Sequence, residues 1–438
     1  MKMRLRIFII LLTTFLNCQL YSQVEIVLGT EKQSIYPFAL NEDSVQKDLK
    51  LLKSLFTSKK VIAIGESTHG SKEFFQAKSE IIKFLITSCG FKVISVEIDL
   101  ISSLYINDYI KGRSGNLDSA MKIHGYWIYY TPEFKNLIIW LREFNTNKNE
   151  SEKVSFYGFD MQTVTNYVNF MKQYISERAL LSKKEFINIT DPVSQIIGNG
   201  LVEKIYTENK EHYFKLKAAA VKLLNWQNQY DSELKVNHTK ETYELIKVAT
   251  LAFDFATGLP NQAYGYRDSC MAQLFFDLMK INPEFKHILW AHNLHISTFD
   301  SIVKYDIYEK TMGNYINKRL NKGYYPIGTI FNKGSFLALD KSKHYKFLKI
   351  FSLPGIKGDS FSKTLSEKGH PNFFMDIEQT GNKFFYEYKK IYTLGATYNP
   401  KKPTNTLYMT PGFTFKGIIF INQVNHAEQI DNYYFKVK

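Results

Sequence analysis

Short apolar runs constrain the fold of this chain more than any other feature. They occupy residues 61–64, 92–96, 154–157, 287–290, 325–331 and 417–421. β-Branched and aromatic residues dominate these runs, and neighbouring positions of both parities are apolar. Strands that are buried on both faces of a mainly parallel sheet have this pattern.

Amphipathic helical spacing separates several of the runs, over residues 72–87, 132–144 and 263–280. Thr131 followed by Pro132 predicts where the second helix begins, because threonine caps a helix well and proline suits its first position. Strands that alternate with helices predict an α/β fold, with a mainly parallel central sheet flanked by helices.

Two stretches interrupt this alternation. Residues 167–257 are rich in lysine and glutamate and show helical spacing over 209–230 and 239–257, which predicts a helical insertion packed over the sheet. Residues 332–416 are aromatic, lysine-rich and punctuated by glycine and proline. That composition predicts a C-terminal elaboration of loops and hairpins before the final strand.

The composition is that of a folded globular protein. Of 438 residues, 45% are hydrophobic and 22% charged, which excludes wholesale disorder. Three cysteines, Cys18, Cys89 and Cys270, are too few for a disulfide scaffold, and the pattern leaves open whether the last two pair. The formal net charge of +14 is scattered along the chain, so it does not predict a nucleic-acid partner.

The first 22 residues read as a secretory signal peptide, with a basic start, a short apolar run and cleavage near Ser22. Cys18 after the apolar run leaves a lipid anchor as the alternative, although Asn17 fits such a signal poorly. No later stretch approaches the length of a membrane-spanning helix. We therefore expect an exported protein, periplasmic or extracellular, without a stable membrane span.

Acidic and imidazole side chains follow four of the proposed strands. Glu66 and His69 follow the first, Glu97 ends the second, Asp160 ends the third, and His292 and His295 follow the fourth. Ligands of open α/β sheets bind outside the carboxyl ends of the strands. We therefore expect these side chains to meet at one rim.

Such a rim supports two kinds of chemistry, and the residues alone leave both open. An imidazole held by a carboxylate can take a proton from water at neutral pH. The same side chains are also suitable ligands for Zn²⁺ or Mn²⁺. The sequence has no Gly-x-Ser-x-Gly elbow, phosphate-binding glycine loop, Rossmann fingerprint or His-Glu-x-x-His motif.

Blocks of residues around these positions resemble the erythromycin esterase family. In the family's order they are Gly65-Glu66-Ser67-Thr68-His69-Gly70 with Glu97, then residues 140–145, 156–160, 267–272, 290–295 and 325–328, and 417–421 as the last strand. The resemblance implies a single α/β domain over residues 23–438. It also implies hydrolysis of a carboxylic ester, macrolide lactones being the namesake substrates, with no metal or other cofactor.

The resemblance also implies roles for individual residues. The family's active-site positions fall on Glu66, His69, Glu97, His292 and His295 of this sequence. We assign His69 as the general base, oriented by Glu66 and Glu97. His292 is the rival base or the group that polarises the carbonyl.

Four residues are assigned to binding of substrate or the developing oxyanion: His295, Arg267, Lys78 and Asp160. Lys78 stands where the family usually has arginine, so it keeps the charge without the bidentate fork. Each has a structural alternative: a cap of the following helix for His295, a buried salt bridge for Asp160 and Arg267, and a solvated helix face for Lys78.

Three hypotheses for function follow. The first is an exported, metal-independent esterase that acts on a small-molecule ester or lactone. The second is a metal-dependent hydrolase or peptidase that uses the same rim. The third is a non-catalytic envelope binding protein, which the presence of all five active-site positions disfavours. The sequence leaves the oligomeric state open.

Overall fold

The computed structural model describes residues 23–40, 47–113, 115–123, 126–164, 167–196, 201–260, 262, 265–299, 310–344, 347–358, 360–378, 380–403 and 405–437, without the side chain of Phe170. The proposed signal peptide and Cys18 lie outside these residues. In the part of the chain that is described, no helix is both long and apolar enough to cross a membrane.

Most strands belong to one sheet. In chain order the strands are β1 (Val24–Leu28), β2 (Glu31–Pro37), β3 (Val61–Ile64), β4 (Phe91–Asp99), β5 (Ser155–Asp160), β6 (Lys286–Trp290), β7 (Tyr324–Asp340), β8 (Leu348–Leu353), β9 (Asn372–Asp376), β10 (Lys389–Tyr392), β11 (Thr397–Tyr398), β12 (Thr406–Met409) and β13 (Gly417–Val424). The sheet order is β1-β2-β9-β13-β7-β3-β6-β4-β5, β8 and β11 also pair with β7, and β10 pairs with β12 separately.

The centre of the sheet is parallel, as predicted. β13, β7, β3, β6, β4 and β5 pair in parallel, and together they contain the apolar runs singled out in the sequence, except that Val154 lies one residue before β5. β9, β2 and β1 extend one edge in antiparallel pairing. The mainly parallel α/β architecture is therefore confirmed.

Helices flank the sheet. They are α1 (Lys53–Thr57), α2 (Lys72–Cys89), α3 (Leu100–Ile110), α4 (Leu117–Ile123), α5 (Pro132–Asn145), α6 (Tyr167–Tyr174), α7 (Leu180–Ser194), α8 (Val202–Glu208), α9 (Lys210–Gln229), α10 (Asp231–Asn237), α11 (Lys240–Gly258), α12 (Tyr266–Met279), α13 (Asn293–Ile296), α14 (Met312–Leu320), α15 (Phe361–Ser366) and α16 (Pro411–Thr414). Thr131 caps α5 as predicted, since its side chain accepts a bond from the Phe134 amide at 3.3 Å.

The two predicted interruptions have different outcomes. The described residues of 167–257 are mostly helical and form α6 to α10 and nearly all of α11. The region 332–416 is more regular than the predicted loops and hairpins. β7 continues to Asp340, where it forms a hairpin with β8, and β9 joins the central sheet. Polar and apolar residues do not alternate regularly in residues 332–416. The sequence therefore did not predict these strands.

Two apolar cores lie on opposite faces of the sheet. Alternate residues of β3 show the division, because Val61 and Ala63 belong to one core and Ile62 and Ile64 to the other. The helices of 167–257 pack in the first core. Cys270 lies in that core and Cys89 in the other, and both are free thiols.

Candidate active site

The sequence-predicted side chains meet at the carboxyl rim of the parallel strands. Glu66 and His69 follow β3, Glu97 lies near the end of β4, Asp160 ends β5, and His292 and His295 follow β6. Arg267 reaches them from the first turn of α12. A cavity of about 920 Å³ opens above, and its lining includes His69, Glu97, Arg267, His292 and His295.

The loops after β3 and β6 are bonded to each other. The Asn293 amide donates to the Glu66 carbonyl at 2.9 Å, and the Asn293 side-chain NH₂ donates to Ser67 Oγ at 3.0 Å. A Cβ on Gly65 would lie 2.1 Å from Asn293 Oδ1, so only glycine permits this approach. These contacts fix the position of the loop that carries Glu66 relative to the loop that carries His292.

The far end of the first loop is fixed at Gly70. Its carbonyl accepts bonds from the Leu337 amide at 2.9 Å and the Ala427 amide at 2.8 Å. A Cβ at this position would lie 1.9 Å from the Leu337 carbonyl oxygen. His69 therefore sits in a segment clamped between β7 and the chain beyond β13.

Glu66 is fully buried and binds three donors. Its Oε1 lies 2.6 Å from His69 Nδ1, while Oε2 accepts from Lys78 Nζ at 2.6 Å and from the Trp290 indole at 2.9 Å. Burial alone would raise the pKa of Glu66, but Lys78 and His69 lower it to about 2. Glu66 is therefore a carboxylate at neutral pH.

His69 is oriented by this carboxylate. Because a carboxylate only accepts hydrogen bonds, the ring proton of neutral His69 sits on Nδ1 and the lone pair on Nε2. Within the described part of the chain, Nε2 has no hydrogen-bond partner, and the ring lines the cavity. The side chain thus presents a basic nitrogen at the place where a substrate would bind.

Lys78 lies beneath the site. Its side chain is 0% exposed, and its ammonium lies 4.6 Å from the centre of the Trp290 ring. Burial lowers the pKa of Lys78 to about 8, and Glu66 opposes that shift. The solvated helix face considered from sequence is wrong. Lys78 does not line the cavity, so its position also differs from the expected substrate contact.

Glu97 lies at the centre of a second ion cluster. Its Oε1 accepts from Arg267 Nη2 at 2.9 Å and lies 3.3 Å from His295 Nε2. Its Oε2 accepts from the His292 amide at 2.9 Å. Burial would raise the pKa of Glu97, yet His295 and Arg267 hold it well below its usual range. Glu97, like Glu66, is therefore ionised at neutral pH.

Asp160 binds Arg267 in a bidentate pair. Arg267 Nε donates to Oδ1 at 3.0 Å and Nη2 to Oδ2 at 2.7 Å, while the Tyr126 hydroxyl and the Gln162 amide also donate to Oδ2. Asp160 is fully buried behind the cavity lining. The buried salt bridge considered from sequence is thus present. Arg267 itself lines the cavity, whereas Asp160 sits too deep for the expected substrate contact.

His295 contacts two carboxylates. Its Nδ1 lies 2.9 Å from Asp268 Oδ1, and its Nε2 lies 3.3 Å from Glu97 Oε1. Burial would lower the pKa of His295, but Asp268 and Glu97 raise it to about 10. His295 is therefore an imidazolium at neutral pH; its Nδ1 faces Asp268, and its Nε2 lies 3.3 Å from both Glu97 Oε1 and Arg267 Nη1.

His292 differs from both other histidines. Its Nε2 lies 3.1 Å from the Leu394 carbonyl oxygen, which requires the proton on Nε2, and its Nδ1 accepts from the Leu294 amide at 3.2 Å. Burial first, then the neighbouring His69 and His295, lowers the pKa of His292 to about 3. The ring is neutral and caps α13, the role that the sequence had suggested for His295.

Four contributors to the site were not assigned from sequence. They are the Trp290 indole, the Asp268 carboxylate, the Asn293 amide and the Leu394 carbonyl. Asp268 follows Arg267 directly, Trp290 lies two residues before His292 and Asn293 directly after it, so proximity in sequence could have indicated these three. No sequence pattern indicates a backbone carbonyl that arrives from the segment after β10.

The grouping of the rim side chains bears on whether they could bind a metal ion. In the part of the chain that the structure describes, no three His, Cys, Asp or Glu side chains are grouped so as to hold a metal ion. Both ring nitrogens of His292 and His295 already form hydrogen bonds or ion pairs.

Comparisons with known proteins agree with the resemblance in sequence. The erythromycin esterase family model matches residues 86–424, a stretch that begins after Glu66 and His69. A putative hydrolase, YbfO of Bacillus subtilis, is 27% identical over 77% of this chain and 78% of its own. The erythromycin esterase type II of Escherichia coli is 26% identical over 78% of this chain and 87% of its own.

A solved structure shares the fold. A mutant erythromycin esterase in an open conformation superposes with a TM-score of 0.68, at 14% identity, over 90% of this chain and 98% of that one. That degree of likeness establishes the architecture alone. Because the family model spans well over half of the sequence, the chain belongs to the erythromycin esterase family of hydrolases.

Proposed function

We propose that this chain hydrolyses a carboxylic ester or lactone with water activated by His69, without a metal ion. One observation carries the proposal: the 2.6 Å contact between Glu66 Oε1 and His69 Nδ1, which leaves Nε2 facing the cavity. A histidine in this state accepts a proton from water, and the carboxylate stabilises the imidazolium that forms.

The reaction follows from this pairing. A water molecule at Nε2 gives up a proton as its oxygen bonds to the carbonyl carbon of the ester. The carbonyl π electrons move to oxygen, and the tetrahedral oxyanion then expels the alcohol oxygen. The proton on His69 Nε2 passes to that leaving oxygen, so His69 returns to its starting state and the products are an acid and an alcohol.

The oxyanion needs nearby positive charge. Arg267 and the His295 imidazolium both line the cavity and supply it. Glu97 contacts both cations and so fixes where they point. Lys78 and Asp160 act from beneath as positioning residues, one holding Glu66 and the other Arg267.

The metal-dependent alternative is less consistent with this geometry. In that alternative, Zn²⁺ or Mn²⁺ would take lone pairs from the rim imidazoles as well as from carboxylates. Among the described rim histidines, His69 alone has a ring nitrogen without a hydrogen-bond partner. A metal would first have to displace the Leu394 and Asp268 contacts.

We propose that the substrate is a small molecule at the larger end of the range that ligand sites accommodate. A cavity of about 920 Å³ is near the upper end of the range for ligand sites, roughly 300–1,000 Å³. The name of the Escherichia coli relative makes macrolide lactones the first candidates to test. Export through residues 1–22 remains part of the proposal, and the N-terminal sequence of the mature protein tests it.

The proposal is tested by mass spectrometry of macrolides and simple aryl esters incubated with metal-stripped protein. A His69→Ala variant is run in parallel, with His212→Ala on α9 as the matched control, because His212 is remote from the cavity lining. We expect substrates to gain one water with the wild type and the control only. Turnover that returns only with Zn²⁺ or Mn²⁺, or that survives in His69→Ala, would contradict the mechanism.

A further inference from the structure

The outer lining of the cavity has a charge imbalance. Lys310, Lys341 and Lys402 are exposed residues from three separate segments, and all three line the cavity. In the part of the chain that is described, none of them forms an ion pair. Glu203 is the carboxylate that accompanies them in the outer lining.

The carboxylates deeper in the cavity do not compensate for these lysines. Glu97, Asp160 and Asp268 face Arg267 and His295, and each of their oxygens already accepts a hydrogen bond or ion pair. They therefore offer little to a cationic substrate. The outer lysines, by contrast, have no carboxylate partner among the residues that the structure describes, so their ammonium groups can contact a ligand.

We propose that this cavity selects substrates that carry an anionic group, such as a carboxylate, phosphate or sulfate, at a distance from the scissile ester. Lys310, Lys341 and Lys402 would hold that group while the ester reaches His69. The inference rests on the proposed hydrolysis and adds the substrate class to it. It also separates this chain from an enzyme that binds a cationic amino sugar through free carboxylates.

The test measures binding and turnover separately with one matched series. The probes for binding are the anilides of adipic acid (monoamide), hexanoic acid and 6-(trimethylammonio)hexanoic acid, measured by calorimetry. The probes for turnover are the p-nitrophenyl esters of the same three acids. The three acyl chains each have six backbone carbons and end in a carboxylate, a methyl group and a trimethylammonio group, respectively.

The chain offers matched control lysines. Lys341→Gln/Lys402→Gln removes two cavity-lining charges, whereas Lys343→Gln/Lys401→Gln removes two charges from neighbouring positions that do not line the cavity. None of these four residues belongs to the catalytic group. The two double variants have the same net charge, so long-range effects cancel in the comparison.

We expect the wild type to prefer the anionic over the cationic anilide by roughly tenfold at low salt, a modest factor because exposed charges are screened. Lys341→Gln/Lys402→Gln should lose most of this preference, and the control should keep it. Equal binding of the three anilides by the wild type, or equal loss in both double variants, would overturn the inference.

Turnover of the three esters tests the proposed hydrolysis, on which the inference rests. Hydrolysis of all three esters without an anionic preference leaves the hydrolase in place and overturns the inference about substrate class. A clear anionic preference in binding, with no ester hydrolysed, supports anion recognition by the cavity and contradicts the proposed hydrolysis. The two failures are therefore distinguishable.

Discussion

Two carboxylates at the same rim each bind one cation and one histidine, yet they leave their histidines in opposite states. Glu66 binds Lys78 and His69, and Glu97 binds Arg267 and His295. His69 contacts a single carboxylate, whereas His295 contacts Asp268 as well. The second carboxylate helps to raise the pKa of His295 to about 10, whereas His69 Nε2 has no hydrogen-bond partner in the part of the chain that is described. The number of carboxylates around an imidazole thus separates a base from a fixed positive charge.

Replacement of each of the two glutamates should reveal the largest difference between the two clusters, and that difference should appear in kcat. In Glu66→Gln the amide donates to His69 Nδ1, which moves the ring proton to Nε2 and removes the base. We expect kcat to fall by roughly a thousandfold or more. Glu97→Gln leaves the His69 tautomer unchanged and should cost roughly tenfold to a hundredfold. Steady-state kinetics on the best ester substrate check this. Equal losses would mean that the two clusters have equivalent roles.

Breaking the Glu66–Lys78 pair should lower the free energy of unfolding more than breaking an exposed ion pair. Both side chains are at most 1% exposed. Lys78→Met leaves the buried Glu66 carboxylate without its ammonium partner, although His69 and Trp290 still contact it, and should destabilise the fold by about 3–5 kcal/mol in urea unfolding. The double variant Glu66→Gln/Lys78→Met should be more stable than Lys78→Met alone. The exposed pair of Lys32 and Glu25 is the control, and Glu25→Gln should change the free energy of unfolding by less than about 1 kcal/mol.

The charge on His295 should appear in the pH dependence of stability. Its folded pKa of about 10 lies above the ordinary value of 6.5, so its contribution is fully present below pH 6.5 and is lost as pH rises through 10. The free-energy difference between wild type and His295→Gln should therefore shrink by up to about 5 kcal/mol across that window, at about 1.4 kcal/mol per pKa unit. The pKa of Lys78, about 8, affects both proteins and cancels in the difference. A difference that is constant with pH would contradict a charged His295.

His292 should have the smallest effect on catalysis. Its two ring nitrogens bind the Leu394 carbonyl and the Leu294 amide, so it has no lone pair for water. His292→Gln should reduce kcat by roughly tenfold or less, by loosening the loop that carries His295. The shape of the pH–rate profile should stay that of the wild type. A profile that loses its acidic limb in His292→Gln, and keeps it in His69→Gln, would transfer the base to His292.

The fold could be predicted from sequence where burial acts on both faces of a strand. The apolar runs at 61–64 and 417–421 have no polar side to present, and both form parallel strands. The hairpin of β1 and β2 was not predicted, because its exposed residues mask the pattern. β9 was also missed, since its pairing depends on a partner far along the chain.

The same division applies to the site. The rule that polar residues cluster at the carboxyl ends of strands brought Glu66, His69, Glu97 and His292 to one rim. It could not assign protonation states, because these depend on three-dimensional neighbours such as Asp268 for His295 and the Leu394 carbonyl for His292. It also could not distinguish depth, so Lys78 and Asp160 were predicted to contact substrate although neither side chain lines the cavity.

The clamp on Gly70 has a consequence for the order of events during synthesis. The motif residues from Gly65 to Gly70 emerge from the ribosome early, but the Gly70 carbonyl acquires its partners only when Leu337 and then Ala427 have been made. Contacts between such distant parts of a chain form late in folding. A chain that stops before Ala427 therefore carries the motif without both partners of the Gly70 carbonyl, and we expect hydrolytic activity only from chains that extend past Ala427.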